Sequence, residues 1–339
     1  MMAKILLKLV GKKDLTEKEA ESAMKIIMNG RCSEKEMEMF LLALKNKGES
    51  IGEIAAFAKV MREKSVHITP NANNLVDTCG TGGDLSGTFN ISTTAAFIAA
   101  GAGVRIAKHG NRSVSSICGS ADVLEQLGAR MLEPEKVQEC IDQVGIGFMF
   151  APYFHPTMKN VAAVRKKLGV RTVFNILGPL TNPAGAEAQV LGVFNAMLTE
   201  TIAQVLNQLG TRHALVVHSE GMDEIGLGKT KISELRHGQV ETYEMNAEDF
   251  GLAKKDVSKP LTKKESAQVI LEVLHGSAGS TRDIAALNAA AAIYVSGKTK
   301  NIENGLGLAF DAIDSYKAME KLEKFVKFGN EDTESIGGI

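Results

Sequence analysis

The sequence predicts an α/β protein. A small N-terminal helical domain spans residues 1–70, with a return segment near 174–190. A larger domain over 71–339 is built on a mostly parallel central sheet covered by helices. Three observations carry this. Residues 16–53 hold three helix-start signals. From Leu75 onward, short apolar runs alternate with Ala-rich helical stretches, the pattern of strands joined by crossover helices. The run Ala214-Leu-Val-Val-His218 is almost purely apolar, as suits a strand buried on both faces of a parallel sheet.

Composition narrows the class. A chain of 339 residues can bury a substantial core, and 44% apolar with 23% charged residues is ordinary for a globular protein. A formal net charge of −1 provides no global attraction to nucleic acid or anionic membrane. Cys32, Cys79, Cys118 and Cys140 lie too far apart for a zinc or redox motif and read as free thiols in a reducing compartment. Met1 to Val10, with Lys4 and Lys8 inside it, reads as a helix start rather than a signal peptide. No apolar run approaches the roughly 20 residues of a membrane span. The expectation is a cytoplasmic protein.

The elements follow in order. Thr16 with Glu19, Ser33 with Glu36 and Ser50 with Glu53 have capping-box spacing, and Met37, Phe40, Leu41 and Leu44 recur at helical period. Pro70 and the polar run 71–74 form a linker. Asn74-Leu-Val76 reads as a short strand, Asp77-Thr-Cys-Gly-Thr-Gly-Gly-Asp84 as a glycine loop, and Asn90 to Gly101 as a capped helix. Gly103 to Ala107 is a second strand, so Lys108 is expected at its C-terminal end. A helix follows near Ser120 to Gly128. The segment Phe174 to Pro183, with two prolines and a Gly-Pro turn, cannot be a regular element; it returns toward the N-terminal helices or walls a cleft. Gly238 to Tyr243 reads as an antiparallel hairpin strand, Thr262 to Leu274 and Arg282 to Ser296 as helices, and 302–328 as one amphipathic helix. The Glu/Lys-rich tail after Lys324 reads as a fraying helix with a disordered end.

Four constellations bear chemistry. Strand, glycine loop and helix N-terminus together suit a phosphate, because glycine lets backbone N–H groups approach an anion. Asp84, Asn90, Ser92 and Thr93 add short polar side chains there. The spacing fits neither a dinucleotide fingerprint nor a Walker A loop. Lys108-His-Gly-Asn-Arg-Ser-Val-Ser-Ser116 packs two cations, an imidazole, an amide and three hydroxyls into one stretch and reads as an anion cradle. The adjacent carboxylates Asp223 and Glu224 follow a strand and suit Mg²⁺, which takes few protein oxygens. Arg165 lies two helical turns beyond Met158 and is expected on a face with it, near His155, beside the cations Lys166 and Lys167.

With these stretches in place, the chain resembles anthranilate phosphoribosyltransferases over nearly its whole length. The resemblance rests on DTCGTGGD, NIST at 90–93, KHGNRSVSS, GSADVLEQLG, MKNVAAVRKKLGVRTVFNILGPLTNPAGA and the MDE at Met222 to Glu224. It implies transfer of phosphoribose from 5-phosphoribosyl 1-diphosphate (PRPP) to the amine of anthranilate, in tryptophan biosynthesis. It also implies two Mg²⁺ per subunit with PRPP bound and a homodimer formed through the helical domain. Carried over by motif, Gly80, Gly83, Asp84, Thr88, Asn90, Ile91, Ser92, Thr93, Lys108, His109, Gly110, Asn111, Arg112, Ser113, Val114, Ser115, Ser116 and Ser120 look like PRPP contacts. Ser92, Asp223 and Glu224 look like Mg²⁺ ligands. Gly80, Asn111 and Arg165, with His109, Pro152, His155, Met158 and Gly178 nearby, look like the anthranilate pocket. No residue stands out as an obligatory base; His109 is the one candidate. Gly226 departs from the Ser or Thr that many members carry after the metal pair. Nucleoside phosphorolysis and nucleic-acid binding are the competing readings, and the near-neutral charge counts against the latter.

Overall fold

The computed structural model describes residues 1–83, 87–113, 117–253, 255, 257 and 261–331. Four helices open the chain: α1 (Met2–Val10), α2 (Glu17–Met28), α3 (Glu34–Lys47) and α4 (Ile51–Glu63). Each expected capping box is formed in full, at Thr16–Glu19, Ser33–Glu36 and Ser50–Glu53. Glu53 does more than cap. It is fully buried, and it accepts hydrogen bonds from Leu15 N and from Lys47 Nζ at 2.9 and 2.7 Å. A buried carboxylate held this way is fully partnered, so its desolvation is offset rather than left as strain.

The larger domain runs β1 (Val76–Gly80), α5 (Ile91–Gly101), β2 (Ile106–Gly110), α6 (Ser120–Gln126), α7 (Pro134–Val144), β3 (Ile146–Phe150), α8 (Ala151–Phe154), α9 (Lys159–Leu168), α10 (Phe174–Leu177), β4 (Ala188–Gly192), α11 (Leu198–Gln208) and β5 (His213–Ser219). It continues with β6 (Lys229–Arg236), β7 (Gln239–Asn246), α12 (Lys263–Leu274), α13 (Ser280–Val295), α14 (Ile302–Asp314) and α15 (Lys317–Glu331). The sheet has seven strands in the order β3-β2-β1-β4-β5-β6-β7. The first five are mutually parallel, and β6 and β7 are antiparallel. The expected hairpin turns at His237 and Gly238, both with positive φ (52° and 76°), as a tight turn between twisted strands requires.

Period-two alternation splits the strands between two cores. In β5, Leu215 and Val217 face a cluster with α5, α13, α14 and α15, while Ala214 and Val216 face a cluster that takes in α1 to α4 and α11. Phe174, Ile176, Leu177 and Leu180 join this second cluster. The proline segment therefore packs with the helical domain, as one short helical turn and a 3-10 turn over Gly178–Leu180. Arg62 of α4 fastens it, donating to Leu180 O at 2.8 Å.

Four sequence expectations need correction. β1 and β2 start and end later than expected, so Asp77 to Gly80 and Lys108 to Gly110 lie within strands. Gly103, with φ 85°, closes α5 instead of opening β2: its N–H and that of Val104 donate to Ala100 O and Ala99 O. The stretch 302–328 is two helices, separated at Tyr316, which takes a left-handed φ of 60°. That turn lets α15 lie on α5, where Phe325 meets Phe97 edge-on at 5.6 Å. The expected cap at Asn90 sits at the helix start without a side-chain bond to the helix N–H groups. The expected tail end, 332–339, lies outside the described residues.

Candidate active site

Strand order locates the site. β1 lies between β2 and β4, with the chain running to β2 and β3 on one side and to β4 and β5 on the other. Beyond the C-terminal ends of β1 and β4 is therefore a topological switch point, where open α/β sheets leave a crevice. Gly80 and Gly192 are partners in the β1–β4 register at this edge. Gly192 has no room for a side chain, since a Cβ there would sit 1.5 Å from Asp223 O, and a Cβ on Gly80 would sit 2.4 Å from Asp223 Oδ2 and push that carboxylate aside. The glycines admit the segment after β5 to the end of the β1 loop.

The expected metal ligands come together there. Asp223 Oδ2 accepts from Gly82 N at 2.7 Å, and Glu224 Oε1 accepts from Ser92 N at 3.1 Å. Lys108 Nζ donates to Ser92 Oγ at 3.3 Å and to Thr78 O. Loop, helix N-terminus, lysine and carboxylate pair thus form one polar junction. Two adjacent carboxylates and a hydroxyl fit Mg²⁺, which keeps its other positions for water and substrate phosphate. Among the described residues no cluster of three or more His, Cys, Asp or Glu offers a complete protein cage for a metal.

Lys108 and His109 differ from expectation in an informative way. As neighbours within a strand they point to opposite faces. Lys108 is buried against α5, and burial lowers its pKa, with Asp77 pulling the other way. His109 turns to the other face, its ring 5.0 Å from that of His155. Asp77 shares that face: Oδ1 accepts from His109 N at 3.0 Å, and Oδ2 accepts from Asn182 Nδ2 at 2.7 Å. Burial, then His155, lowers His109 to about 3, against a hydrogen bond to the Gly178 backbone. Burial, then His67, lowers His155 to about 4, against a bond to the Thr181 backbone. Both imidazoles are neutral near pH 7. A group lowered to about 3 is poorly matched to general-base work at that pH, which counts against a base role for His109. The Nε2 atoms of both rings are buried without a hydrogen-bond partner among the described residues.

Arg165, on α9, stacks over Phe174 with its guanidinium carbon 5.6 Å from the ring centroid. It is half-buried, burial lowers its pKa, and no acid among the described residues pairs with it. Phe174 is its aromatic contact and shares an apolar cluster with Met158, while His155 packs its ring on His109. Lys166 is exposed, while Lys167 pairs with Glu38 of α3. Pro152 is exposed on α8, and Gly178 starts the 3-10 turn beside His109.

The remaining expected donor contacts divide. Gly83 is in place after the loop, with φ 71°. Thr88 leads into α5, and Asn90 is held by Ser266, whose Oγ donates to Asn90 Oδ1 at 2.8 Å. Ile91 and Thr93 are buried; the Thr93 hydroxyl is enclosed without a hydrogen-bond partner among the described residues, beside a cavity of about 10 Å³ also lined by Lys108. Gly110 packs against Ser120, which donates to Asn111 O at 3.2 Å. Ser113 N donates to Asp122. The two cations of the expected cradle differ in surroundings: Lys108 is inside the sheet, and Arg112 pairs bidentately with Glu125 at 2.6 Å. Asp84, Val114, Ser115 and Ser116 lie outside the described residues.

Comparison with known proteins decides the family. A glycosyl transferase family α/β domain matches residues 72–319, and the helical bundle domain of a glycosyl transferase family matches 3–65. The anthranilate phosphoribosyltransferase of Acetivibrio thermocellus is 52% identical over 338 residues, 97% of each chain. The chain belongs to the anthranilate phosphoribosyltransferase family. Solved members of that family superpose closely. The Thermus thermophilus structure gives a TM-score of 0.91 at 43% identity, covering 95% of this chain and 98% of that one. A Saccharomyces cerevisiae structure in complex with PRPP and Mg gives 0.86 at 28% identity, covering 96% and 98%. Another from that organism, in complex with 4-fluoroanthranilate, gives 0.85 at 28%, covering 97% and 98%.

Within that family frame, several residues at this site went unnamed in the sequence reading. Arg171 donates to Gly83 O and lies 4.0 Å over the Phe194 ring, and Phe194 N donates to Thr81 Oγ1 at 3.0 Å. Thr81, Arg171 and Asn182 sit inside quoted blocks, so those blocks carried the signal, but only the tertiary contacts assign them a task.

Proposed function

We propose that this chain transfers the phosphoribosyl group of PRPP to the amine of anthranilate, giving N-(5-phosphoribosyl)anthranilate and diphosphate in L-tryptophan biosynthesis. The observation that carries the acceptor assignment is Arg165, half-buried on Phe174 without an acidic partner among the described residues. A guanidinium so placed matches a carboxylate on an aromatic ring. The Nε2 atoms of His109 and His155, buried without a hydrogen-bond partner among the described residues, would add neutral polar contacts for the same ligand.

On the donor side, the phosphates would lie against the loop and the α5 N-terminus, where Gly82 N and Ser92 N donate to Asp223 and Glu224, and that pair with Ser92 would hold magnesium. When bound, Mg²⁺ neutralises charge on the departing diphosphate. The reading takes two such ions per subunit with PRPP bound, and a metal titration counts them. Anthranilate's amine is a weak neutral nucleophile, so the protein's part is placement, which supplies up to roughly 7–11 kcal/mol.

The reading also takes a cytoplasmic homodimer. All four cysteines are free, and among the described residues no helix is long and apolar enough to cross a membrane. Leu7 and Val10 on α1, and Met39 and Leu42 on α3, are 75%, 68%, 45% and 40% exposed, an apolar surface on the helical domain that a second copy would cover.

Purified protein given PRPP, Mg²⁺ and anthranilate should consume the fluorescent acceptor and release diphosphate in equal amounts. Absence of turnover with fresh substrates and metal overturns the assignment.

A further inference from the structure

The segment carrying Asp223 and Glu224 is held from two sides by residues outside the ligand set. After β5 the chain doubles back, and Ser219 and Met222 exchange backbone hydrogen bonds at 3.1 Å. Ser219 Oγ then donates to Glu224 O at 2.8 Å and accepts from Gly226 N at 2.7 Å, with Thr230 Oγ1 also 2.8 Å away. A side chain at 226 would crowd this hydroxyl: a Cβ there would lie 3.0 Å from both Ser219 Cβ and Oγ. From the other side comes Asn288 of α13. Its Oδ1 accepts from Ile225 N at 3.0 Å, and its Nδ2 donates to Ile225 O at 2.8 Å and to Ile284 O at 2.9 Å. Three consecutive residues, Glu224 to Gly226, therefore have their backbone fixed by two side chains.

Asn288 is an expensive choice for its position. It is 2% exposed in a helix whose neighbours include Ala285, Ala286 and Ala289 to Ala292. Asparagine is a weak helix former, and a buried amide costs free energy unless it is bonded. Here both Nδ2 hydrogens and Oδ1 have partners, two of the three bonds going to Ile225. α13 also packs on α5, the helix whose Ser92 N meets Glu224. The same helix pair thus frames the carboxylates from both ends.

We propose that Asn288 and Ser219 are positioning residues for magnesium binding, setting the backbone from which Asp223 and Glu224 reach the metal. The proposal rests on the reading of that pair as ligands. Mg²⁺ demands near-ideal octahedral geometry, and a ligand set must be held within about 0.5 Å to meet it. A side-chain amide bonded to both the N–H and the C=O of one residue fixes translation and rotation together.

The test uses the full chain with Asn288→Ala, Asn288→Asp and Ser219→Ala, and Asp223→Asn as the ligand control. Calorimetry measures Mg²⁺-dependent PRPP binding, kinetics measures the Mg²⁺ half-saturation and the anthranilate KM, and thermal melting tracks the fold. Loss of an outer-shell partner typically costs about 10–100-fold in metal affinity. Asn288→Ala and Ser219→Ala should each raise the Mg²⁺ half-saturation by about tenfold or more, while the anthranilate KM at saturating metal and PRPP stays within about twofold. Asn288→Asp keeps the acceptor for Ile225 N but turns a carboxylate oxygen toward Ile225 O and Ile284 O, so it should shift the half-saturation at least as far as Asn288→Ala. Should the Asn288 variants fail to fold, Ser219→Ala decides. Wild-type metal dependence in the folded variants, with Asp223→Asn shifted, leaves the clamp a purely structural feature and overturns the proposal. Unshifted Asp223→Asn overturns the ligand reading and the proposal with it.

Discussion

A half-buried guanidinium without an acidic partner among the described residues, such as Arg165, invites an anion from solution. A charge-assisted hydrogen bond contributes about 1.5–3 kcal/mol net, and each 1.4 kcal/mol is roughly tenfold in affinity. Arg165→Ala should therefore raise the anthranilate KM about 10–100-fold and leave the PRPP KM nearly unchanged; steady-state kinetics with each substrate varied would reject the role if both rose equally. The buried histidines make a pH prediction. An unfolded histidine titrates near 6.5, whereas His109 and His155 are lowered to about 3 and about 4. Between these values the unfolded chain holds protons that the folded chain lacks. Their contribution to stability is complete above pH 6.5 or so and declines as the pH falls toward 4. Asp77, raised to about 6 by burial against the pull of Lys108, acts with the opposite sign between its ordinary value and about 6, and is outnumbered. Melting temperature should fall on acidification from pH 7 to 4.5, and His155→Asn should flatten that slope; an unchanged slope counts against it. At this scale the sequence was legible in singling out Ser92, Asp223 and Glu224, which the fold brings to one junction where Gly82 N and Ser92 N donate to the two carboxylates. It was illegible where a side chain's direction decides, as at Arg112, because ion pairing with Glu125 depends on a helix packed later in the chain.

Helices of the N-terminal domain were read best at their starts. Capping boxes depend on residues three apart, so local sequence suffices, and all three in the helical domain form. Ser33→Ala should lower stability by about 1 kcal/mol in denaturant titration with kinetics unaltered. Strand limits were read less well. β1 and β2 run into polar residues because Asp77, Thr78 and Lys108 find partners inside the sheet, a compensation that hydrophobic periodicity cannot register. The connection after α9 carries another expectation. Arg171 ties the segment bearing Arg165 to the donor loop through Gly83 and Phe194. Arg171→Ala should raise the PRPP KM several-fold, in the range of one exposed charged hydrogen bond of about 1 kcal/mol, while Arg171→Lys recovers part of it. Equal PRPP KM values in all three proteins would dismiss the tie.

For the whole molecule, the helical domain and one face of the sheet share a single apolar cluster that also holds the proline segment. That union is invisible along the chain, since its members lie far apart in sequence. The opposite surface of the helical domain remains apolar at Leu7, Val10, Met39 and Leu42. Leu7→Asp with Leu42→Asp should give monomers by light scattering, and an unaltered mass would remove this face as the dimer contact. The placement of Lys108 and His109 back to back has a consequence for redesign. In the proposed function, a single peptide bond separates the donor side, at Lys108, from the acceptor side, at His109. Substitutions on the His109 face should then alter the anthranilate KM more than the PRPP KM. A one-residue insertion or deletion before Ile106 would instead exchange the two sides and abolish the transfer.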